Sequence, residues 1–260
     1  MEVEARNLLK KTLRDHKVDF EEFNFETTIP EYLHYSIQVD GKEIECLPTG
    51  LKSGEINDSY NLISSLISSQ QTIDLPNINF NPRCLESISQ SNFYHAPSWA
   101  INVKDVQTIV NAREVKAVLA VTPQDHISAA ILVGNTQDPQ NIVFTHYDSI
   151  GPGAIDNASG TYTVLRAILE NPDTLENTLY VLDGNEEISY DYPIYWGHGY
   201  REFEKKYIKQ MEKAAKIFVV DSLGNTPTEI SNDPHLVKLG FPIKNFEKML
   251  GKASFLMGDF

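Results

Sequence analysis

Between Val3 and Arg14, Leu8, Leu9 and Leu13 recur at helical spacing, and the stretch VDFEEFNFET that follows alternates apolar with acidic residues. A period of 3.6 residues predicts an amphipathic helix and a period of two predicts a half-exposed strand, so the chain opens helix then strand. From Ile29 to about Asn102 the pattern breaks up. Short apolar runs are interrupted by Pro, Gly, Ser and Asn clusters such as LPTGLKSG and LPNINFNPR, which predicts an irregular, β-rich module. Beyond Pro97 regularity returns. VKDVQTIVNA has a helical period, VKAVLAVT and ISAAILVG read as two strands, and NIVFTH as a third. Downstream, GTYTVLRAILE is helical, NTLYVLDG a strand, HGYREFEKKYIKQMEKAA a long helix and KIFVVD another apolar strand. Strands rich in β-branched residues that alternate with helices predict an α/β sheet covered on both faces.

Composition narrows the function classes. With 260 residues, 41% of them hydrophobic and 22% charged, the chain can bury a large core, and disorder is excluded. A net charge of −14 repels polyanions, which argues against nucleic acid and against an anionic membrane surface as partners. Met1 to Phe20 lacks the basic start and uncharged apolar run of a secretory leader, and no stretch is apolar for long enough to cross a bilayer. Cys46 and Cys84 stand in unrelated contexts without a CxxC, against a disulfide framework or a thiolate zinc site. The expectation is a cytoplasmic protein.

Metal-competent side chains gather at the carboxyl ends of the apolar strands, where open α/β sheets present their catalytic groups. NIVFT runs into His146, Tyr147 and Asp148; YVLDGN runs into Glu186 and Glu187; KIFVV ends in Asp221. The loop GPGAIDNASG places Asp156 just before a helix. Singly, each has an ordinary explanation: a buried histidine satisfied by Asp148, a glutamate pair at a helix start, helix caps at Asp156 and Asp221. Together they would crowd carboxylates on one rim at a high electrostatic cost, which divalent cations remove. Imidazole with carboxylates suits zinc, with cobalt or manganese as substitutes, and a carboxylate can bridge two ions. His16, His34, His95 and His126 lie outside these motifs. His198 lies in the aromatic stretch SYDYPIYWGHGY, which either packs as a loop cluster or lines a pocket for an apolar side chain.

HYDSIGPGAIDNASG, then DGNEE, then VVDSLG occur in that order, and from about Ser98 onward the chain resembles the co-catalytic zinc aminopeptidases. That family includes bacterial leucyl aminopeptidase, glutamate carboxypeptidase II and glutaminyl cyclase. The resemblance implies a three-layer α/β sandwich around a central mixed, mostly parallel sheet, with residues 1–38 and 105–260 as the peptidase domain. Residues 39–104 would be a small β-rich insertion, loosely similar to a protease-associated lid. It implies two divalent ions, zinc first and cobalt or manganese as alternatives. His146 and Asp221 would bind one ion, Glu187 the other, and Asp156 both. Glu186 would be the general base, and Asp148 would orient His146 through its far ring nitrogen. The peptide bond after Asp156 would be a non-proline cis bond.

One ligand departs from the family pattern. The expected Ser-Asp-His segment corresponds here to Ser231-Asn232-Asp233-Pro234-His235, and counting back from Gly240-Phe241-Pro242 puts Asp233 at the histidine position. Either Asp233 supplies an oxygen in place of imidazole, which keeps the register and puts Pro234 at a first helical position, or His235 reaches in. The chain ends at Phe260, soon after Pro242, so a sheet edge covered by a second copy is expected, as is a homo-oligomer. The function expected is hydrolysis of N-terminal residues from peptide substrates. The alternatives are a non-catalytic relative that uses the fold for binding and glutaminyl cyclase-type acyl transfer.

Overall fold

A computed structural model describes residues 2–67 and 69–223. In chain order these form α1 (Glu2–Asp15), the long strand β1 (Glu21–Val39) and the short strands β2 (Lys42–Ile44), β3 (Cys46–Pro48), β4 (Gly54–Asn57) and β5 (Asn61–Ser64). The short helix α2 (Ser69–Thr72) leads to β6 (Asn77–Phe80), β7 (Ser98–Ile101) and α3 (Val106–Val110). A second long strand, β8 (Val115–Gly134), precedes β9 (Asn141–His146), α4 (Gly160–Glu170), β10 (Thr178–Asp183), α5 (His198–Lys213) and β11 (Lys216–Val219). The class is mixed α/β, as expected. No described helix is long and apolar enough to cross a membrane.

Among the described residues the chain divides into two compact units. The first comprises residues 2–25, 127–187 and 196–223, the second residues 26–126 and 188–195. The segment 39–104, expected as an insertion, lies within the second unit, which also takes the adjoining parts of β1 and β8.

Two expectations about strands need correction. VKAVLAVT and ISAAILVG form one continuous strand of 20 residues, β8, rather than two. Its middle residues 123–125 are exposed, so Pro123 and its polar neighbours interrupt the burial pattern without turning the chain. Likewise β1 runs on through Ile29 to Val39, where an irregular module was expected to begin.

In the first unit, β9 pairs in parallel with β10 and with β11, and β10 pairs antiparallel with residues 131–134 of β8. Because successive strand residues face opposite sides, each strand feeds two cores. Ile131, Val133, Tyr180 and Leu182 pack with Val164, Leu165 and Ile168 of α4 and with Leu9 and Leu13 of α1. Ala130, Leu132, Leu179 and Val181 pack with Phe203 and Tyr207 of α5. These are three layers, helices on both faces of a sheet whose β10 is buried along its whole length. In α1 it is Leu9 and Leu13, one turn apart, that face inward, while Leu8 is exposed.

The second unit has its own four-stranded sheet in the order β3-β7-β6-β5. β5, β6 and β7 are parallel, and β3 is antiparallel to β7. Trp99, Ile78, Ile101 and Ile109 are buried with Val115, Ala117, Leu119 and Val121 of β8.

Candidate metal centre

The register of the parallel strands brings the chemistry to one level. Asp183, the last residue of β10, pairs with His146, the last of β9. On the other side Val219 of β11 pairs with Phe144, which puts Asp221, two residues on, level with His146. Parallel strands of matched length therefore deliver an imidazole and two carboxylates to one edge.

His146 is 1% exposed, and its two ring nitrogens face different groups. Nε2 lies 3.1 Å from Asp156 Oδ1 and 3.2 Å from Asp221 Oδ1. Nδ1 lies 3.2 Å from the backbone oxygen of Asp148 and 3.4 Å from its Oδ1. The imidazole is thus held from behind by Asp148, main chain and side chain both, with Nε2 turned to the two outer carboxylates. Asp148 Oδ2 accepts the Glu187 amide at 3.0 Å, tying the glutamate pair to the same support. Asn185, at φ +56°, turns the chain out of β10 in the left-handed region that asparagine tolerates better than most residues. The carbonyls of Asn185 and Glu186 accept the amides of Gly199 and Gly197 at 3.2 and 2.5 Å, fixing this loop to the start of α5.

His146, Asp156 and Glu187 each offer a ligand atom within 4.8 Å of the others. Ligand atoms around a tetrahedral zinc with bonds of ~2.0 Å are about 3.3 Å apart. The 3.1 and 3.2 Å separations from Nε2 to Asp156 and Asp221 have that spacing. The donor set, one imidazole nitrogen among carboxylate oxygens, fits a divalent cation of the zinc, cobalt or manganese kind. The Asp156-Asn157 peptide bond is cis.

The electrostatics point the same way. Burial alone lowers the His146 pKa, but hydrogen bonding to Asp148, Asp156 and Asp221 outweighs it and raises the imidazole above its ordinary value. Burial opposes ionisation of Asp221 too, and there His146 prevails, holding the carboxyl below its usual range. Burial pushes Glu186 up to about 7 against the pull of His146, with Asp148, Asp221 and Asp156 adding to the rise. It pushes Glu187 up to about 8, with Asp156 and Asp148 as the main carboxylates acting on it. Protons or cations must neutralise part of this cluster.

His146, Asp148, Asp156, Glu187 and Asp221 therefore come together, with Glu186 beside them. Asp233 and its alternative His235 lie outside the described residues. Two further residues belong to the picture and were not anticipated. Asp183 is fully buried, and burial followed by the charges of Asp148 and Glu186 raises its carboxyl well above the usual range. Its signal in the sequence is an ionisable residue closing the run Leu179–Leu182, which is buried on both faces. Asn157, 1% exposed, binds the backbone around His146 and Asp221, and nothing in DNASG distinguishes it from a loop asparagine.

Comparison with known proteins supports the resemblance read from the motifs. Residues 128–231 match the sequence profile of peptidase family M28, a span that contains every candidate ligand up to Asp221 and stops short of Asp233. No curated protein matches the chain. Among solved structures it is similar to BSAP, a zinc aminopeptidase from Bacillus subtilis, with a TM-score of 0.57 and 16% identity. That similarity covers 86% of this chain and 63% of the other. A peptidase M28 precursor from Shewanella amazonensis gives a TM-score of 0.56 at 14% identity, over 96% of this chain and 72% of that one. An aminopeptidase from Aneurinibacillus sp. strain AM-1 gives 0.50 at 10% identity, over 88% and 66%. These likenesses establish the fold.

Proposed function

We propose, from the premise that residues 128–231 carry a peptidase family M28 domain, that the chain is a metal-dependent exopeptidase, an aminopeptidase that releases residues from the free N-terminus of peptides. The observation that carries this reading is His146 Nε2 facing the carboxylates of both Asp156 and Asp221 at ligand spacing, with Glu186 close by at a raised pKa. In this reading His146 and Asp221 would hold one ion and Glu187 the other, with Asp156 available to both and zinc as the first choice of metal. Asp233, or His235 in its place, completes the Glu187 side.

The ions, when bound, supply Lewis acidity toward water and toward the scissile carbonyl. The protein supplies the rest. Asp148 keeps the Nδ1 proton of His146 on the inner side, so that Nε2 offers its lone pair outward. The Glu186 carboxylate accepts a proton from the attacking water and returns it to the leaving amine, a task suited to a group that titrates near neutrality.

Metal analysis of the freshly purified protein, together with hydrolysis of aminoacyl chromogenic substrates, tests this reading. Glu186→Gln should retain metal and lose about 10²–10⁴-fold in rate. Protein that carries no divalent metal and hydrolyses no aminoacyl substrate would sink it. Metal without hydrolysis would leave a binding relative.

A further inference from the structure

We propose that Asn157 is a positioning residue whose side-chain amide sets the separation of His146 and Asp221 by clamping the main chain on both. The inference rests on the reading that these two residues share an ion. The regular pairing of β9 with β11 ends at Phe144 and Val219, and the amide of Val220 still donates to the Phe144 carbonyl at 2.9 Å. Beyond that point, among the described residues, no strand ladder joins the two ligand residues.

Asn157 takes over there. Its Nδ2 reaches the His146 carbonyl at 3.3 Å, the Val220 carbonyl at 3.3 Å and Thr145 Oγ1 at 3.1 Å. Its Oδ1 accepts the Ser222 amide at 3.1 Å and the Gly160 amide at 3.1 Å. A carboxamide has two N–H donors and one oxygen with two lone pairs, so this side chain is saturated. Four of these five contacts fall on the two ligand strands: one on His146 itself, one on its predecessor, and two on the neighbours flanking Asp221. Ser222 has φ +49°, a left-handed conformation that a serine does not favour, and the Asn157 bond to its amide helps hold it there.

The ordinary explanation of Asn157 is a helix cap, since Oδ1 accepts the amide of Gly160, three residues on. A cap needs that bond alone. It does not account for an amide turned onto residues 11 to 65 positions away in sequence. Gly160 fits the clamp: a Cβ there would lie 2.2 Å from Asn157 Oδ1 and 2.8 Å from the Val220 carbonyl. Thr161 provides an internal control, because its Oγ1 also donates to the His146 carbonyl, at 2.6 Å, and among the described residues has no bond to the Asp221 side. Metal sites tolerate placement errors of only about 0.5 Å, so losing a side chain that grips both strand ends should loosen the ligand spacing.

The test is zinc affinity of the full-length protein, measured by chelator competition, with melting of the metal-free protein alongside. Asn157→Ala should weaken zinc binding about 10- to 100-fold, the range for residues that orient metal ligands. Gly160→Ala, which displaces the amide without removing it, should act in the same direction, and Thr161→Val should stay close to wild type. A simple cap would lower the melting temperature and leave zinc affinity of the folded protein alone. Should Asn157→Ala fail to fold, Asn157→Asp carries the same expectation. It keeps the acceptor for Gly160 and Ser222 and loses the donors, and its added negative charge would by itself favour the cation. Wild-type zinc affinity in the folded Asn157 variant, or an equal loss in Thr161→Val, overturns the proposal. Absence of zinc binding in the wild type would instead remove the metal reading, and this inference with it.

Discussion

Thr49, Asn77, Asn79 and Ser98 of the second unit are buried as deeply as His146 and Asp183 of the first, yet the two groups stand in opposite conditions. Asn79 Nδ2 reaches Thr49 Oγ1 at 2.9 Å and Asn77 Oδ1, Ser98 Oγ and the Trp99 carbonyl at 3.1 Å each. Ser98 Oγ in turn donates to Asn77 Oδ1 at 2.7 Å, and Asn77 Nδ2 to the Leu75 carbonyl at 2.7 Å. All four side chains are neutral and satisfy one another. At the strand ends of the first unit the groups are ionisable and, among the described residues, carboxylates surround a single imidazole. Among the described residues, Asp148 Oδ1 meets His146 Nδ1 only at 3.4 Å, and neither oxygen of the buried Asp183 has a side-chain hydrogen-bond partner. A closed neutral network rigidifies the fold, whereas an open charged one is costly until something outside the chain completes it. Burial of polar groups alone says little about function; burial left incomplete says more.

The comparison breaks most sharply on removal of the ligands. On the proposed function, His146→Ala should lower activity by about 10³-fold or more, because the histidine and the ion it would hold act as one unit. Chelator treatment of the wild type should do the same and also lower its melting temperature. An ion present at 1,000 times its dissociation constant stabilises the folded state by about 4.1 kcal/mol. Identical melting with and without chelator would remove the distinction between an open and a closed network. Next in size is the missing ligand. On the two-ion proposal, Asp233→Ala should lose one ion with His235→Ala keeping both; the reverse selects His235, and two ions in both variants excludes each.

How far the sequence reveals this arrangement follows from what each residue does locally. His146, Asp156, Glu186, Glu187 and Asp221 stand out because ionisable groups at the ends of apolar strands break a local pattern, and their order matches a known set of motifs. The helices α1, α4 and α5 are legible because one apolar face each is enough to declare them. β8 is not, since its exposed middle carries Pro123 and polar residues that imitate a turn, while its two ends pair with β4 and β10. Asn157 and the neutral network of Asn77, Asn79, Thr49 and Ser98 are also hidden, because small polar residues have the composition of loops. Their meaning comes from bonds to residues distant in sequence.

A smaller effect sharpens the other side of the comparison. Asn79→Ala removes the donor shared by Asn77, Ser98 and Thr49, which keep their bonds to one another, and should destabilise the protein by about 1–3 kcal/mol. Urea unfolding measures this. Zinc affinity should be unchanged, and a variant that loses both stability and metal would show that the two networks are not independent.

The smallest effect is expected at Asp183, with the opposite sign. Its folded-state pKa lies well above the usual carboxylate value, through burial first and then Asp148 and Glu186, so the folded protein keeps a proton that the unfolded chain releases near pH 4. The stabilisation from that carboxyl is complete below the unfolded pKa and declines as pH rises toward the folded one. Asn has the same shape and no charge to bury. In metal-free protein, Asp183→Asn should therefore match the wild type near pH 4 and become the more stable of the two as pH increases toward neutrality. Denaturant midpoints of both proteins across this pH range measure the difference. A gap that is constant with pH, or that narrows as pH rises, would mean that Asp183 is paired in solution and belongs with the closed network rather than the open one.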